Sequence, residues 1–339
     1  MAYGGGGGGG GSSGGSGSAG AAAGGIVGGR GGSRAYKKSF GIGYRAVVGG
    51  GGSPSYVDTI DYFSINTIGN ATDFGEMAEG SGSFTHAAVS DGNRGVFAGG
   101  QDSPTNELDR QEYITIGTLG NGTDSNELTQ ARTQIGCGAA SDGNRGVFLG
   151  GVGPPQLNTI DYSTIGVLHS AVDFGDLVTI QGASAVASDG NRALSAGGNT
   201  PAPGPTEDDI YYITIGTTSN ASDFGEINIA TAAFCGGSDG HRGIFAGGVL
   251  GAGGSPGYGS QIEYVTIGTL GTAVDGNFLA GMFYHPTATS DGMRFVRTGG
   301  YDAPASDSME YFQISSISNA LDFGELSQAR YGATSTSGA

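Results

Sequence analysis

The chain has 339 residues, 37% hydrophobic and only 13% charged, with 72 glycines and no tryptophan. Its formal charge of −17 is uneven: residues 1–38 carry Arg30, Arg34, Lys37 and Lys38 and no acid, which leaves −21 on residues 39–339. So acidic a body repels phosphates and argues against nucleic-acid binding, and no stretch is long and apolar enough to span a membrane.

Residues 1–38 form a glycine-rich, basic arm. The run Gly4–Gly11 and the Gly/Ser/Ala sequence after it have linker composition. They lack the Gly-Lys-Ser/Thr end of a phosphate loop and the apolar core of a signal peptide. Arg30, Arg34, Lys37 and Lys38 suit docking on an acidic neighbour. Ordered polyglycine needs partners for its backbone groups, so the arm is expected to be held by neighbouring subunits where it orders.

Residues 39–339 repeat. The third unit runs from strand-like Gly138-Ala139-Ala140 through the turn Ser141-Asp142-Gly143-Asn144 to Arg145, an apolar run and Gly150-Gly151. A loop, a Tyr-bearing strand and an Asp-Phe-Gly-Asp segment follow. Gly-Gly pairs are read at 49, 99, 150, 197, 247 and 299, a spacing near the ~50-residue kelch period. An Arg precedes each pair at Arg45, Arg94, Arg145, Arg192, Arg242 and Arg294. A Tyr follows at Tyr62, Tyr113, Tyr162, Tyr212, Tyr264 and Tyr311. An Asp lies 11 residues beyond each Tyr, at Asp73, Asp124, Asp173, Asp223, Asp275 and Asp322.

Each unit reads as four strands, a to d. Strand a is small and apolar, as suits a crowded axis; the Asp-Gly turn leads to strand b; strand c is rich in β-branched and aromatic residues; a Gly-Asn or Ser-Asn turn leads to strand d. After Asp322 only 17 residues remain, so Ala329–Ser335 is expected to supply strand a to the first unit, with Ser337 equivalent to Ser188. The expected fold is all-β: a six-bladed β-propeller with four antiparallel strands per blade, closed by the C-terminal strand. Charge-assisted bonds between the repeat arginines and repeat aspartates are expected to hold the ring.

The order Arg, turn, apolar run, Gly-Gly, Tyr and a late aromatic resembles kelch repeats over residues 39–339. Phe74, Phe174, Phe224 and Phe323 look like substitutes for the kelch Trp. The phrases IDYxTIG, NATDFGE, LSQAR and RGVFAGG also resemble repeats in structural proteins of tailed bacteriophages, especially marine and cyanobacterial ones. That resemblance implies a non-enzymatic virion protein, a capsid or tail decoration or a fibre-tip adhesin. Its implied partners are other virion proteins through the arm, a further copy of itself, and a host-surface glycan or protein. A carbohydrate-binding propeller and a kelch-type oxidase are the alternatives.

In such a fold the b–c and d–a connections share one face, and the near-uniform a–b and c–d turns share the other. The b–c loops vary in length and hold nine of the ten prolines. Pro54, Pro104, Pro154, Pro155, Pro203, Pro256 and Pro304, with Tyr258, mark them as candidate binding loops. The arm is expected to leave from the uniform face.

No constellation argues for catalysis, a cofactor or a metal. The Asp-Phe-Gly triplets recur once per unit without a His-Arg-Asp loop, so they read as structural. His86, His169, His241 and His285 fall in four different repeats, without a copper-oxidase Cys–Tyr pattern. Cys137 and Cys235 lie in non-adjacent repeats and read as buried thiols. The sequons at Asn70, Asn121 and Asn220 share one c–d turn and are explained by turn chemistry.

Overall fold

The computed structural model describes residues 45–78, 84–135, 139–153, 157–167, 169–200, 205–251 and 257–338. All lie in one compact unit, Gly31–Ala339. The basic arm with Arg30, Arg34, Lys37 and Lys38, and also Cys137, fall outside the described residues.

The described residues contain no helix; their main elements are six four-stranded antiparallel sheets. Sheet 2 holds Ala87–Ser90, Arg94–Ala98, Arg110–Thr115 and Thr123–Glu127, as strands a to d in chain order. Sheet 3 holds Ala140–Ser141, Arg145–Leu149, Thr159–Thr164 and Val172–Asp176, and sheet 4 holds Ala185–Ser188, Arg192–Ala196, Asp209–Thr214 and Ser222–Glu226. Cys235–Ser238, Arg242–Ala246, Gln261–Thr266 and Val274–Phe278 make sheet 5; Thr287–Ser290, Arg294–Thr298, Ser308–Gln313 and Leu321–Glu325 make sheet 6. Sheet 1 joins the two ends of the described chain: strand a, Thr334–Gly338, pairs with Arg45–Gly49, which precedes Thr59–Ser64 and Thr72–Glu76.

Two boundaries differ from the sequence reading. The C-terminal strand is Thr334–Gly338, not Ala329–Ser335, because Arg330 is buried against Asp61 and Gly332 turns the chain at φ +63°. Ser337 still faces Ala46 just as Ser188 faces Ala193. The first glycine pair is Gly50-Gly51, not Gly49-Gly50: Gly49 closes strand b where Ala98 does in sheet 2. Both members of the true pair have positive φ, +63° and +105°, matching +66° and +93° at Gly99-Gly100. Two consecutive left-handed residues are what demand glycine here.

Strand b is apolar on both faces because both are covered. In sheet 1, Ala46 and Val48 pack with Val296, Met309 and Phe323 of sheet 6, while Val47 packs with Ala88, Phe97 and Ile114 of sheet 2. The two-residue side-chain period of a strand divides one apolar run between two cores. Six such clusters each span two consecutive sheets, 6 with 1 included. Strand d carries Phe74, Phe174, Phe224 or Phe323 into these cores, and a Cβ on the following Gly75 would lie 2.6 Å from Gly120 O of the next sheet. The Asp-Phe-Gly triplet is thus a packing device with a glycine at a close backbone approach.

Arginines hold neighbouring sheets together, but not through the repeat aspartates. Asp73, Asp124, Asp173, Asp223, Asp275 and Asp322 sit exposed on the outer strand d. Arg45, Arg94, Arg145, Arg192 and Arg294 instead donate Nη1 to Ile116, Ile165, Ile215, Ile267 and Ile65 O of the next sheet, at 2.8–3.1 Å. Each guanidinium, with that of Arg242, also lies over the Tyr of its own sheet, 4.3–6.0 Å from the ring centre. The partner is a carbonyl because strand b begins opposite the next sheet's c–d turn.

In sheets 1, 3 and 6 a buried ion pair uses the residue before the repeat Tyr. Arg132 meets Asp161 at 3.0 Å, Arg330 meets Asp61, and Arg297 meets Glu310 at 2.8 Å. In sheet 6, Phe283 stands where Arg132 and Arg330 stand elsewhere; the cation comes from strand b instead and lies 3.6 Å from the Phe283 ring centre. The acids also receive the preceding connection: Thr129 N and Oγ1 donate to Asp161 at 3.1 and 2.6 Å, and Ser327 N and Oγ to Asp61 at 3.0 and 2.6 Å. Burial pulls the pKa of all three arginines down, opposed by the adjacent carboxylate.

Removing one partner of such a pair strands the other charge. Asp161→Ala is expected to lower unfolding free energy by about 3–5 kcal/mol. Arg145→Ala, which loses one carbonyl bond and one ring contact, is expected to cost about 1–2 kcal/mol. Urea unfolding of both variants beside the parent chain checks the order.

Candidate binding surface

One residue per sheet, two positions before strand a in five sheets, takes a left-handed conformation: Thr85, Gln134, Ala183, Ala233, His285 and Gly332, with φ of +48° to +63°. These lead-in residues bond to one another. Thr85 N donates to Gly332 O, Gly332 N to His285 O, His285 N to Ala233 O, Ala233 N to Ala183 O, and Ala183 N to Gln134 O, all at 2.7–3.0 Å. Gln134 N completes the cycle by donating to Thr85 Oγ1 at 3.3 Å. Turning the peptide left-handed aims its N–H along the cycle rather than into its own sheet.

Beyond the lead-in residues, strand a of all six sheets lines one cavity of about 150 Å³. Its walls are Ala, Gly, Val, Ser and Thr, including Ser90, Ser141, Ser188, Ser238, Ser290 and Ser337. Five of these serines accept the N–H of the glycine two residues on, at 2.8–3.0 Å. The following aspartates cap the same turns. The hydroxyls on the a–b side therefore serve the turns.

The b–c side differs. In every sheet the residue before the lead-in residue bridges to the one after the glycine pair: Tyr331 with Gly52, Phe84 with Gln101, Thr133 with Val152, Gly182 with Asn199, Ala232 with Val249 and Tyr284 with Tyr301. Sheets 6, 1 and 2 place aromatics at these positions; sheets 3, 4 and 5 place small or aliphatic residues and Asn199. Tyr56 and Tyr258, from the b–c loops of sheets 1 and 5, join the aromatic side.

The result is one continuous patch. Tyr258 stacks on Tyr284 at 5.9 Å, Tyr284 meets Tyr331 at 6.4 Å, Tyr331 meets Tyr301 at 5.3 Å, and Tyr301 returns to Tyr258 at 6.3 Å. Phe84 extends it, 5.1 Å from Tyr331 and 5.4 Å from Tyr56. All six side chains are half-buried. Gln101 Nε2 donates to the Tyr56 hydroxyl at 2.6 Å. The Tyr331 hydroxyl is raised above the usual phenol pKa, mainly by burial and then by the nearby Tyr56, Tyr301 and Tyr258. Beneath lies His285, whose ring centre is 4.2 Å from that of Tyr284 and 5.9 Å from that of Phe84.

The structure brings Tyr258, alone of the residues singled out for the loops, into this patch. Pro54, Pro104 and Pro304 are exposed on their loops; Pro154, Pro155, Pro203 and Pro256 lie outside the described residues. Tyr56, Phe84, Tyr284, Tyr301 and Tyr331 went unmarked in the sequence. The available signal was the repeat position before the lead-in residue, which holds Phe84, Tyr284 and Tyr331 in three sheets and Thr133, Gly182 and Ala232 in the others. His86 packs on Phe97, with ring centres 5.6 Å apart, and His169 bonds Ser170 O at 2.7 Å. Among the described residues no group of three His, Cys, Asp or Glu is placed to hold a metal. Cys235 is buried, its Sγ 3.4 Å from Ala246 O. Asn70, Asn121 and Asn220 accept the N–H of Glu325, Glu76 and Asp176 on the preceding sheet at 3.1–3.2 Å, which gives all three sequons a structural task.

His285 provides a pH test of the patch. Burial lowers its pKa to about 4, and its Nδ1 has no hydrogen-bond partner. The native state therefore holds it neutral while the unfolded chain takes a proton near pH 6.5. Stability from this group is whole above pH 6.5 and falls by about 3 kcal/mol as the pH drops to about 4. His285→Asn, which tolerates the left-handed backbone, is expected to flatten that part of the Tm–pH curve.

No protein-family model matches the chain, and no curated protein matches it.

Proposed function

We propose that residues 39–339 are a closed six-bladed, kelch-like β-propeller and that the protein is a non-enzymatic virion component. It decorates a capsid or tail or tips a fibre, is anchored by its basic glycine-rich arm, and presents the b–c face to a host surface. Closure is supported by sheet 1, built from both ends of the described chain, by a core between sheets 6 and 1, and by the lead-in cycle. The virion setting is supported by the resemblance of the repeats to phage structural proteins. Partnership with other virion proteins, or with further copies of the chain, belongs to the arm.

The observation that carries a display role is the contrast between the faces. On the a–b and c–d side the polar groups are spent on turns and on joining sheets. On the b–c side the repeat abandons its symmetry, its loops vary, and aromatics gather. The same patch favours a carbohydrate-binding propeller as the second reading, which is compatible with an adhesin.

Two measurements test the proposal. Truncation after Gly332, which deletes Thr334–Gly338, is expected to abolish cooperative unfolding; an unchanged melt would refute closure. Antibody labelling of purified particles is expected to decorate heads or tails, and label confined to the particle-free fraction would refute the virion setting.

A further inference from the structure

Charge narrows what the aromatic patch can bind. Among the described residues every arginine is engaged. Arg45, Arg94, Arg145, Arg192 and Arg294 bond carbonyls, Arg242 meets Asp239 at 3.5 Å, and Arg110 meets Glu112 at 3.8 Å. Arg132, Arg297 and Arg330 are buried in ion pairs. The chain's two lysines, Lys37 and Lys38, belong to the arm. A phosphorylated or sialylated ligand would thus meet phenols and a −21 body with no uncommitted cation among the described residues to receive it.

Geometry narrows it further. A cage for an ammonium group needs a gap between ring faces. Here Tyr258, Tyr284, Tyr331 and Tyr301 touch in sequence at 5.3–6.4 Å, and Tyr258 and Tyr284 are within 12° of parallel. The rings fill the centre of their own group. What they leave to solvent is a partly exposed aromatic platform that carries hydroxyls, with the Gln101 amide fixing that of Tyr56. A flat, neutral ligand with an apolar C–H face and hydroxyls at its edge suits such a platform: the face covers aromatic carbon and the hydroxyls exchange bonds with phenols.

We propose that the platform formed by Tyr56, Phe84, Tyr258, Tyr284, Tyr301 and Tyr331 binds a neutral saccharide, stacking a pyranose ring on its tyrosines. This inference rests on the b–c face being the binding face, and it names the ligand class for that face. It also explains why aromatics are confined to sheets 6, 1 and 2 and the sheet 5 loop: a ligand of one to a few sugar units needs one arc, whereas a symmetric ligand would draw on all six sheets.

The test uses the full chain on a printed panel of neutral glucose, galactose, mannose and N-acetylhexosamine oligosaccharides, beside sialylated and phosphorylated ones. Expected is retention on neutral glycans, little changed between 50 and 500 mM salt. About tenfold weaker binding is expected for Tyr258→Ala and Tyr301→Ala at unchanged Tm. Tyr301→Phe, which keeps the ring, should retain most of the affinity, and Val152→Ala on the opposite arc all of it. No neutral-glycan binding, binding only of anionic glycans, or neutral binding indifferent to both tyrosine variants would each overturn the proposal. Particle labelling without glycan binding would leave the display role standing and overturn the saccharide alone.

Discussion

Six lead-in peptides, turned left-handed and bonded one to the next, are the constraint to which the rest of the structure answers. Five of the six are not glycine, and a left-handed backbone at such residues costs about 1–2 kcal/mol each. The compensation is local. Each lead-in N–H finds a partner on the neighbouring sheet, and the strand that follows is delivered to the wall of the common cavity. Small residues on strand a follow from this, since six strands converge there. The glycine pairs follow as well: Gly100 N, for example, donates to Arg132 O at 2.9 Å just ahead of the next lead-in residue.

Away from the cycle, polarity is graded from inside to outside. Strand b is buried on both faces, strand c alternates between core and partly covered positions, and strand d is largely exposed. Most of the acidic charge can therefore face water. Apart from Asp291 in an a–b turn, the buried acids are those before the repeat Tyr, and each described one there meets an arginine, a backbone N–H or both. Sheet 6 draws its buried cation from strand b, whereas sheets 1 and 3 draw theirs from the connection before strand a. Where a buried arginine pairs with the acid, the cation can come from either backbone position.

The repeat made the strands legible because period, turn chemistry and alternation agree at every unit. Strands b, c and d of the first unit could be placed within Arg45 to Glu76 by counting, and Ser337 by equivalence with Ser188. Partners across sheets were not legible. The repeat Arg and repeat Asp look complementary as sequence columns, but the strand order puts the Asp outermost and sets the Arg against a main-chain carbonyl. The aromatic patch was hidden for the opposite reason. Tyr56, Phe84, Tyr284, Tyr301 and Tyr331 are scattered over the chain and obey no repeat position jointly. Only the pairing of strand ends brings them together. Tyr258 sits in the longest of the variable loops.

The pairing of Thr334–Gly338 with Arg45–Gly49 also has a consequence in time. Sheets 2 to 6 can each form from a contiguous stretch of chain, as soon as their four strands are available. Sheet 1 cannot. Its strand b must wait, with Val47 and Val48 short of a partner on one edge, until nearly three hundred further residues have been made. Until then the growing chain presents an apolar edge competent to pair with another molecule. Long-range strand pairing of this kind slows folding. A chain with this topology depends on low concentration or a chaperone during synthesis more than its finished, edge-paired state suggests.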